Sequence, residues 1–144
     1  MLNTDFSRTE LLLGSEAICS LKNTCVAVIG LGGVGSYAAE ALARSGIGRF
    51  ILIDFDTVGP SNLNRQILAL HSSIGKPKTE LMQQRILDIN PMADIIIHTE
   101  FLDQENRERL LLGADYILDA IDSLGPKIGL LEFLVKTERK FISV

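Results

Sequence analysis

Three groups of residues in this sequence have types and spacings suited to holding a phosphorylated ligand. The first is Gly30, Gly32 and Gly35, spaced G-x-G-x-x-G within Val26-Ala27-Val28-Ile29-Gly30-Leu31-Gly32-Gly33-Val34-Gly35. Glycine lets a backbone turn sharply, and it brings N–H groups with no Cβ in the way against a phosphate at the positive end of a helix. The spacing alone also fits a tight strand-to-helix turn with no ligand. Its context favours a nucleotide. An apolar run precedes the glycines, an amphipathic pattern follows, and Asp54 ends the next apolar run 19 residues after Gly35. The second group is acidic: Asp54 and Asp56 close one apolar run, Asp119 and Asp122 another. Asp54 can accept from ribose hydroxyls. Asp122 suits Mg²⁺ or its waters, because hard cations prefer carboxylate oxygens. Asp119 reads equally as a helix N-cap or a solvated turn acid. The third group is Arg65, Lys76 and Lys78. Arg65 can grip phosphate oxygens in a fork and Lys78 adds a point charge; the plain alternative for each is solvated surface charge. Asn62, Arg65 and Gln66, at i, i+3 and i+4, share one face if their segment makes a helical turn. His71 and His98 have no visible partner and read as structural.

The elements that must position these residues follow from periodicity. Residues 1–5 read as a mobile tail. Residues 6–22 have helical spacing, with Leu11, Leu12, Ile18 and Leu21 as the apolar face and Gly14 dividing the stretch into two short helices. A strand over 24–30 enters the glycine turn. A helix over 34–45 follows and stops at Gly46 and Gly48. A second strand spans 49–54. The connection 55–73 is long and polar, and loops of that length in a compact domain are usually functional. Pro77 suits a helix start; that helix turns Leu81, Met82, Ile86 and Ile89 inward and stops at Pro91. A strand is expected over 94–98, and then a helix over 103–112 with Asp103 as N-cap. A strand over 114–119 and a largely helical stretch over 123–140, kinked or delayed by Gly125-Pro126, complete the pattern. Residues 141–144 begin a fifth strand. Strands alternating with helices predict a doubly wound, Rossmann-like α/β fold with a parallel sheet and helices on both faces. Ligands of such sheets bind beyond the carboxyl ends of the strands. Residues 30–35, 54–56 and 119–122 all fall there, so one cleft built from three strand ends is expected. The chain stops within an apolar strand, which reads as the N-terminal part of a longer domain.

Composition bounds the rest. The 144 residues suit one domain, and 47% hydrophobic against 22% charged residues supports a sizeable core rather than disorder. Fourteen basic and eighteen acidic side chains give a net charge of −4. There is no global basic face for nucleic acid, which leaves RNA contact to a local patch. Cys19 and Cys25 lack metal-ligand spacing. Cys25, at the start of a strand, reads as a buried inert thiol, and the lack of a disulfide framework favours the reducing cytoplasm. The N-terminus is no signal peptide, and no apolar run is long enough to span a bilayer.

Five motifs in order now make a resemblance visible: Gly30-Leu31-Gly32-Gly33-Val34-Gly35, Asp54-Phe55-Asp56-Thr57-Val58, Ser61-Asn62-Leu63-Asn64-Arg65-Gln66, Gly75-Lys76-Pro77-Lys78 and Asp119-Ala120-Ile121-Asp122. Together they resemble the ThiF/MoeB/HesA superfamily, the adenylating fold shared with ubiquitin-activating enzymes. The match covers nearly the whole chain. Within the superfamily, Phe6-Ser7-Arg8-Thr9-Glu10-Leu11-Leu12, Asn64-Arg65-Gln66-Ile67-Leu68-Ala69-Leu70 and Asp119-Ala120-Ile121-Asp122-Ser123 look most like the tRNA threonylcarbamoyladenosine dehydratases.

The resemblance implies ATP and Mg²⁺ as cofactors and transfer of AMP onto a carboxylate. By match to the family's motifs, Gly32 and Gly33, with Gly30 and Gly35, lie by the nucleotide and Asp54 binds its ribose. Asn62, Arg65 and Lys78 bind or polarise the phosphates, Asp56 and Gln66 join the binding set, and Asp122 holds the metal. Arg8 matches an arginine that related homodimers donate across the subunit interface, which implies a homodimer. The carboxylate would be the threonylcarbamoyl group of a modified adenosine in tRNA, which then cyclises with loss of water. In the MoeB- and ThiF-like relatives it is the C-terminal glycine of a small sulfur-carrier protein. An attacking carboxylate is already anionic, so the reaction needs positioning and charge cancellation rather than a general base. Two other classes stay open. An NAD-dependent dehydrogenase would share the glycines and Asp54 but leaves Arg65, Lys78 and Asp122 without a role. A non-catalytic nucleotide-binding module would need none of the chemistry. The catalytic cysteine or zinc-binding cysteine pairs of some relatives have no counterpart in Cys19 and Cys25.

Overall fold

Burial along the strands decides how the sheet is dressed. The computed structural model describes residues 4–144. Strand β1 (Cys25–Ile29) is buried at all five positions, and β2 (Arg49–Ile53) at its last four. A parallel strand covered on both faces requires such a continuous apolar run. β3 (Asp94–His98), β4 (Tyr116–Asp119) and β5 (Phe141–Ser143) complete a sheet of order β3-β2-β1-β4-β5. Every pairing is parallel, with Ile29 opposite both Ile53 and Asp119. Alternate side chains serve opposite layers. Val26, Val28, Phe50 and Leu52 pack with Ala39 and Ala43 of α3 (Gly35–Ser45) and Met82 and Ile86 of α4 (Lys78–Ile89). Ala27, Ile29, Ile51 and Ile53 pack with Leu110 of α5 (Arg107–Leu110) and Leu130, Phe133 and Leu134 of α6 (Leu124–Lys136). The expected doubly wound fold is therefore present. β2 and β4 flank β1 on opposite sides, so the chain reverses direction in the sheet there, and a crevice opens at the carboxyl ends of β1 and β4.

The departures from expectation have local causes. Residues 1–3 of the expected tail lie outside the described residues. Thr4–Phe6 forms a 3₁₀ turn, and buried Phe6 lies against Gly46. Gly14 does divide α1 (Ser7–Leu13) from α2 (Ser15–Asn23). Yet Leu11 and Leu12, expected inward, are each 85% exposed, because α1 buries no residue at all while α2 anchors through Ile18. The helix expected over 103–112 shrinks to α5. Asp103 is not its N-cap, which is Asn106; it accepts the N–H groups of Glu105 and Asn106 at 2.8 and 3.0 Å and so closes a turn that delays the helix to Arg107. Pro126 neither kinks nor delays α6: it lies in the first turn, where no intrahelical N–H is required of it. The helix ends at Lys136 rather than 140, with Glu138 in a left-handed conformation at φ 51°.

Candidate functional site

The glycine turn leaves β1 at the crevice. Gly30 N–H donates to Ile53 O and Ala120 N–H to Ile29 O, both at 2.9 Å, so the turn is held between the ends of β2 and β4. Gly30 has φ 86°, and a Cβ there would stand 2.8 Å from the Ala120 carbonyl oxygen. A Cβ on Gly35 would collide with the Gly30 carbonyl. These two glycines are demanded by close packing of backbone on backbone. Gly32 and Gly33 differ. Neither is left-handed, and their nearest neighbours, Gln66 Nε2 and Arg65 Cγ and O, stand 3.6 Å from where a Cβ would be. A Cβ at either would make only ordinary van der Waals contact, so packing within the chain does not demand glycine there.

The loop after β2 brings the expected polar set to that space. It is pinned to the core by buried Val58, Leu68 and Ala69. Within it Arg65 N–H and Gln66 N–H both donate to Asn62 O, at 3.2 and 3.0 Å, which is the helical turn that the i, i+3, i+4 spacing requires. Asn62 Oδ1 accepts Gly59 N–H at 2.9 Å and so shapes the loop itself. The Arg65 stem lies against Gly33, and its guanidinium donates to Ser61 O and Asn64 Oδ1 at 3.0 and 2.9 Å. Gln66 is 7% exposed and has a buried Oε1 with no hydrogen-bond partner, while its Nε2 faces Gly32. Leaving such an acceptor unpaired costs about 1–3 kcal/mol.

Asp54 is buried, and its two oxygens accept Leu31 N–H at 2.6 Å and Asp56 N–H at 2.8 Å. Its first task is to tie the glycine turn to the loop that follows β2. Lys78 opens α4 almost wholly buried, which removes the surface-charge alternative for it. Its ammonium lies 3.2 Å from the half-exposed Asp56 carboxylate. Asp122 is exposed, with Ser123 Oγ 3.4 Å away. No cluster of three or more metal-type side chains occurs among the described residues. A cation here would rest on Asp122 together with oxygens of the ligand, as Mg²⁺ commonly does beside phosphates.

Other candidates fall elsewhere. Asp119 is neither an N-cap nor a solvated turn acid: it is fully buried, with Lys127 Nζ and Ser143 Oγ each 2.7 Å from Oδ2. Arg8 lies on exposed α1, whose neighbour Phe6 packs at Gly46, the end of α3 remote from the glycine turn. Its own chain does not bring it to the site. His98 closes β3 with its Nδ1 3.8 Å from the Glu100 carboxylate, and its carbonyl accepts Asp54 N–H at 3.2 Å. Cys25 is buried as expected, and burial pushes its thiol pKa up. One feature went unread in the sequence. Phe55 and Phe101, just past the ends of β2 and β3, meet edge to face at 5.2 Å. With Leu102, Ile121 and Pro126 they line a small apolar recess that reaches Asp54. Aromatic residues directly after two adjacent strand ends were the available signal.

The sequence pattern described as the ThiF family matches residues 6–144. The chain belongs to the ThiF family. It is 49% identical over 139 residues to the tRNA threonylcarbamoyladenosine dehydratase of Bacillus subtilis (strain 168), covering 96% of this chain and 55% of that protein. To the Escherichia coli (strain K12) protein of the same name it is 43% identical over 129 residues, 89% of this chain and 48% of the relative. The ThiF chain spans about half the length of the curated relatives it matches. Its fold superposes with TM-score 0.94 and 39% identity on the crystal structure of E. coli tRNA N6-threonylcarbamoyladenosine dehydratase, TcdA, in complex with ATP, covering 97% of this chain and 58% of that one.

Proposed function

We propose that this ThiF chain carries the nucleotide site of an ATP-dependent tRNA threonylcarbamoyladenosine dehydratase. The observation that supports the reading is the pair Gly32 and Gly33, where packing does not demand glycine, facing Arg65 and the buried amide of Gln66. ATP supplies an α-phosphorus that takes the oxygen of the threonylcarbamoyl carboxylate as pyrophosphate departs, which prepares the carboxyl for cyclisation with loss of water. The residues fit that ligand. The backbone at Gly32 and Gly33 lets phosphate oxygens approach the start of α3, where N–H groups point outward. Lys78, buried and held in place by its pairing with Asp56, is a positioned cation that phosphate oxygens would share with that carboxylate, and Arg65 adds a second at the rim. Both act on charge that grows on the departing phosphates, which is where electrostatic preorganisation has its effect. Asp54, beside the Phe55–Phe101 recess, stands where ribose hydroxyls and a base would lie. Asp122 is the acid that would hold Mg²⁺, whose chemistry would be to neutralise phosphate oxygens.

Arg8 is assigned to a second subunit of a homodimer, since α1 is exposed and leads away from its own glycine turn. The two cysteines are free thiols and no helix among the described residues is long and apolar enough to cross a membrane, which suits a cytoplasmic setting.

ATP–pyrophosphate exchange tests the function. Exchange is expected when tRNA bearing threonylcarbamoyladenosine is added. Exchange driven instead by a small Gly-Gly-ended carrier protein would reassign the acyl substrate, and tighter binding of NAD than of ATP would sink the reading altogether. Arg65→Ala should lower exchange by about 10²–10³-fold. Because Arg65 is exposed, the stability of that variant should stay within about 0.5 kcal/mol of the parent.

A further inference from the structure

The Asp119-Ala120-Ile121-Asp122 segment carries two acids with opposite fates. Asp119 is fully buried; Lys127 Nζ and Ser143 Oγ donate to its Oδ2 and Ile121 N–H to its Oδ1, at 2.7, 2.7 and 3.0 Å. The same Lys127 ammonium also donates to the Ile121 carbonyl at 3.0 Å. Lys127 thus grips the turn on both sides of Ala120, whose carbonyl is the group packed against Gly30. Asp122 follows one residue later and is left exposed. A buried ion pair is a poor device for stability alone, since an apolar pair of similar volume is often as good. What it does supply is a defined geometry for the backbone that it bridges.

We infer that Lys127 is a positioning residue for the cation end of the nucleotide site. It neutralises Asp119, so that this acid does not compete for a metal, and it fixes the Ile121 carbonyl, so that Asp122 alone of the two projects toward Mg²⁺. The inference rests on the nucleotide reading above. An outer partner that orients a metal-binding acid leaves a characteristic trace: its loss weakens the metal and spares what binds without it.

Calorimetric titration of the full chain with AMP in EDTA, and with ATP over a range of Mg²⁺, tests this. Lys127→Met should raise the Mg²⁺ concentration giving half the gain in ATP affinity by about 10-fold or more. AMP affinity without metal should hold within about threefold, and Lys127→Arg, which keeps the cation, should restore most of the Mg²⁺ response. Lys127→Met strands a buried carboxylate and can unfold the chain, so the double variant Asp119→Asn with Lys127→Met is measured alongside it. The double should fold and show the same selective loss. Hydrogen exchange at the Ile121 and Asp122 amides should quicken in both, with no nucleotide present. A variant with an unchanged Mg²⁺ response, or one that loses AMP and ATP equally, overturns the inference while the nucleotide reading stands. A parent chain that binds neither AMP nor ATP overturns that reading, and this inference with it.

Discussion

Two pairs of glycines share six residues, and they are there for different reasons. At Gly30 and Gly35 the protein itself leaves no space, because backbone meets backbone where β1, α3 and the end of β4 converge. At Gly32 and Gly33 there is space for a methyl group and no left-handed backbone to forbid one. The G-x-G-x-x-G spacing counts Gly30, Gly32 and Gly35 as one motif. In the structure its outer members are demanded by packing, while its middle one is not, nor is Gly33, which the spacing does not count; those two are the pair that the proposed nucleotide site uses.

The largest effect should come from the outer pair. Gly35→Ala drives a methyl group into the Gly30 carbonyl, and overpacking of a site with no flexible neighbour costs about 3 kcal/mol or more; urea denaturation should show a large loss of stability or no folded protein. Gly33→Ala should do the reverse. Its stability should equal or exceed the parent's by up to about 1 kcal/mol, because alanine narrows the unfolded ensemble at a compatible backbone. Its ATP affinity, measured by calorimetry, should fall about tenfold, or ~1.4 kcal/mol. Equal stability losses at Gly33 and Gly35 would erase the distinction. Gln66→Leu sharpens it further. Removing an unpaired buried acceptor should stabilise the free chain by about 1 kcal/mol while weakening ATP, so that stability and binding move in opposite directions. The smallest effect lies in α3 away from the turn. Hydrogen bonding to Arg85, aided by Arg44, holds the Glu40 carboxyl below its ordinary value of 4.5. A depressed folded pKa adds stability that is present above 4.5 and is lost as pH falls through the lower folded value. Glu40→Gln should therefore flatten the decline of Tm below pH 4.5 and leave nucleotide affinity unchanged.

The parallel sheet and its two helical layers were legible because each depends on local periodicity and on the handedness of crossovers, whereas the strand order had to come from the structure. The Asn62, Arg65, Gln66 face was legible for the same reason, since one helical turn is a local matter. Asp119 was not. Its partners, Lys127 and Ser143, belong to elements formed later in the chain, and a strand-end acid looks alike in sequence whether it is solvated or buried. Lys78 has the same ambiguity, resolved only when α4 packs its first turn into the core. The length of α5 was misread because Asp103 caps a turn as readily as a helix. Leu11 and Leu12 follow helical spacing faithfully, but spacing says which residues share a face and not whether anything in the same chain covers it.

The contact of Gly30 with Ala120 also has a consequence for the order of assembly. The glycine turn leaves the ribosome early, yet its shape depends on Asp54 from the end of β2 and on the peptide that follows β4. Until about residue 120 has been made, the chain lacks one of the partners that hold the turn in its final shape. A ligand that binds only the completed turn cannot chaperone the early stages of folding; it can only deepen the final basin, by an amount set by its concentration relative to Kd.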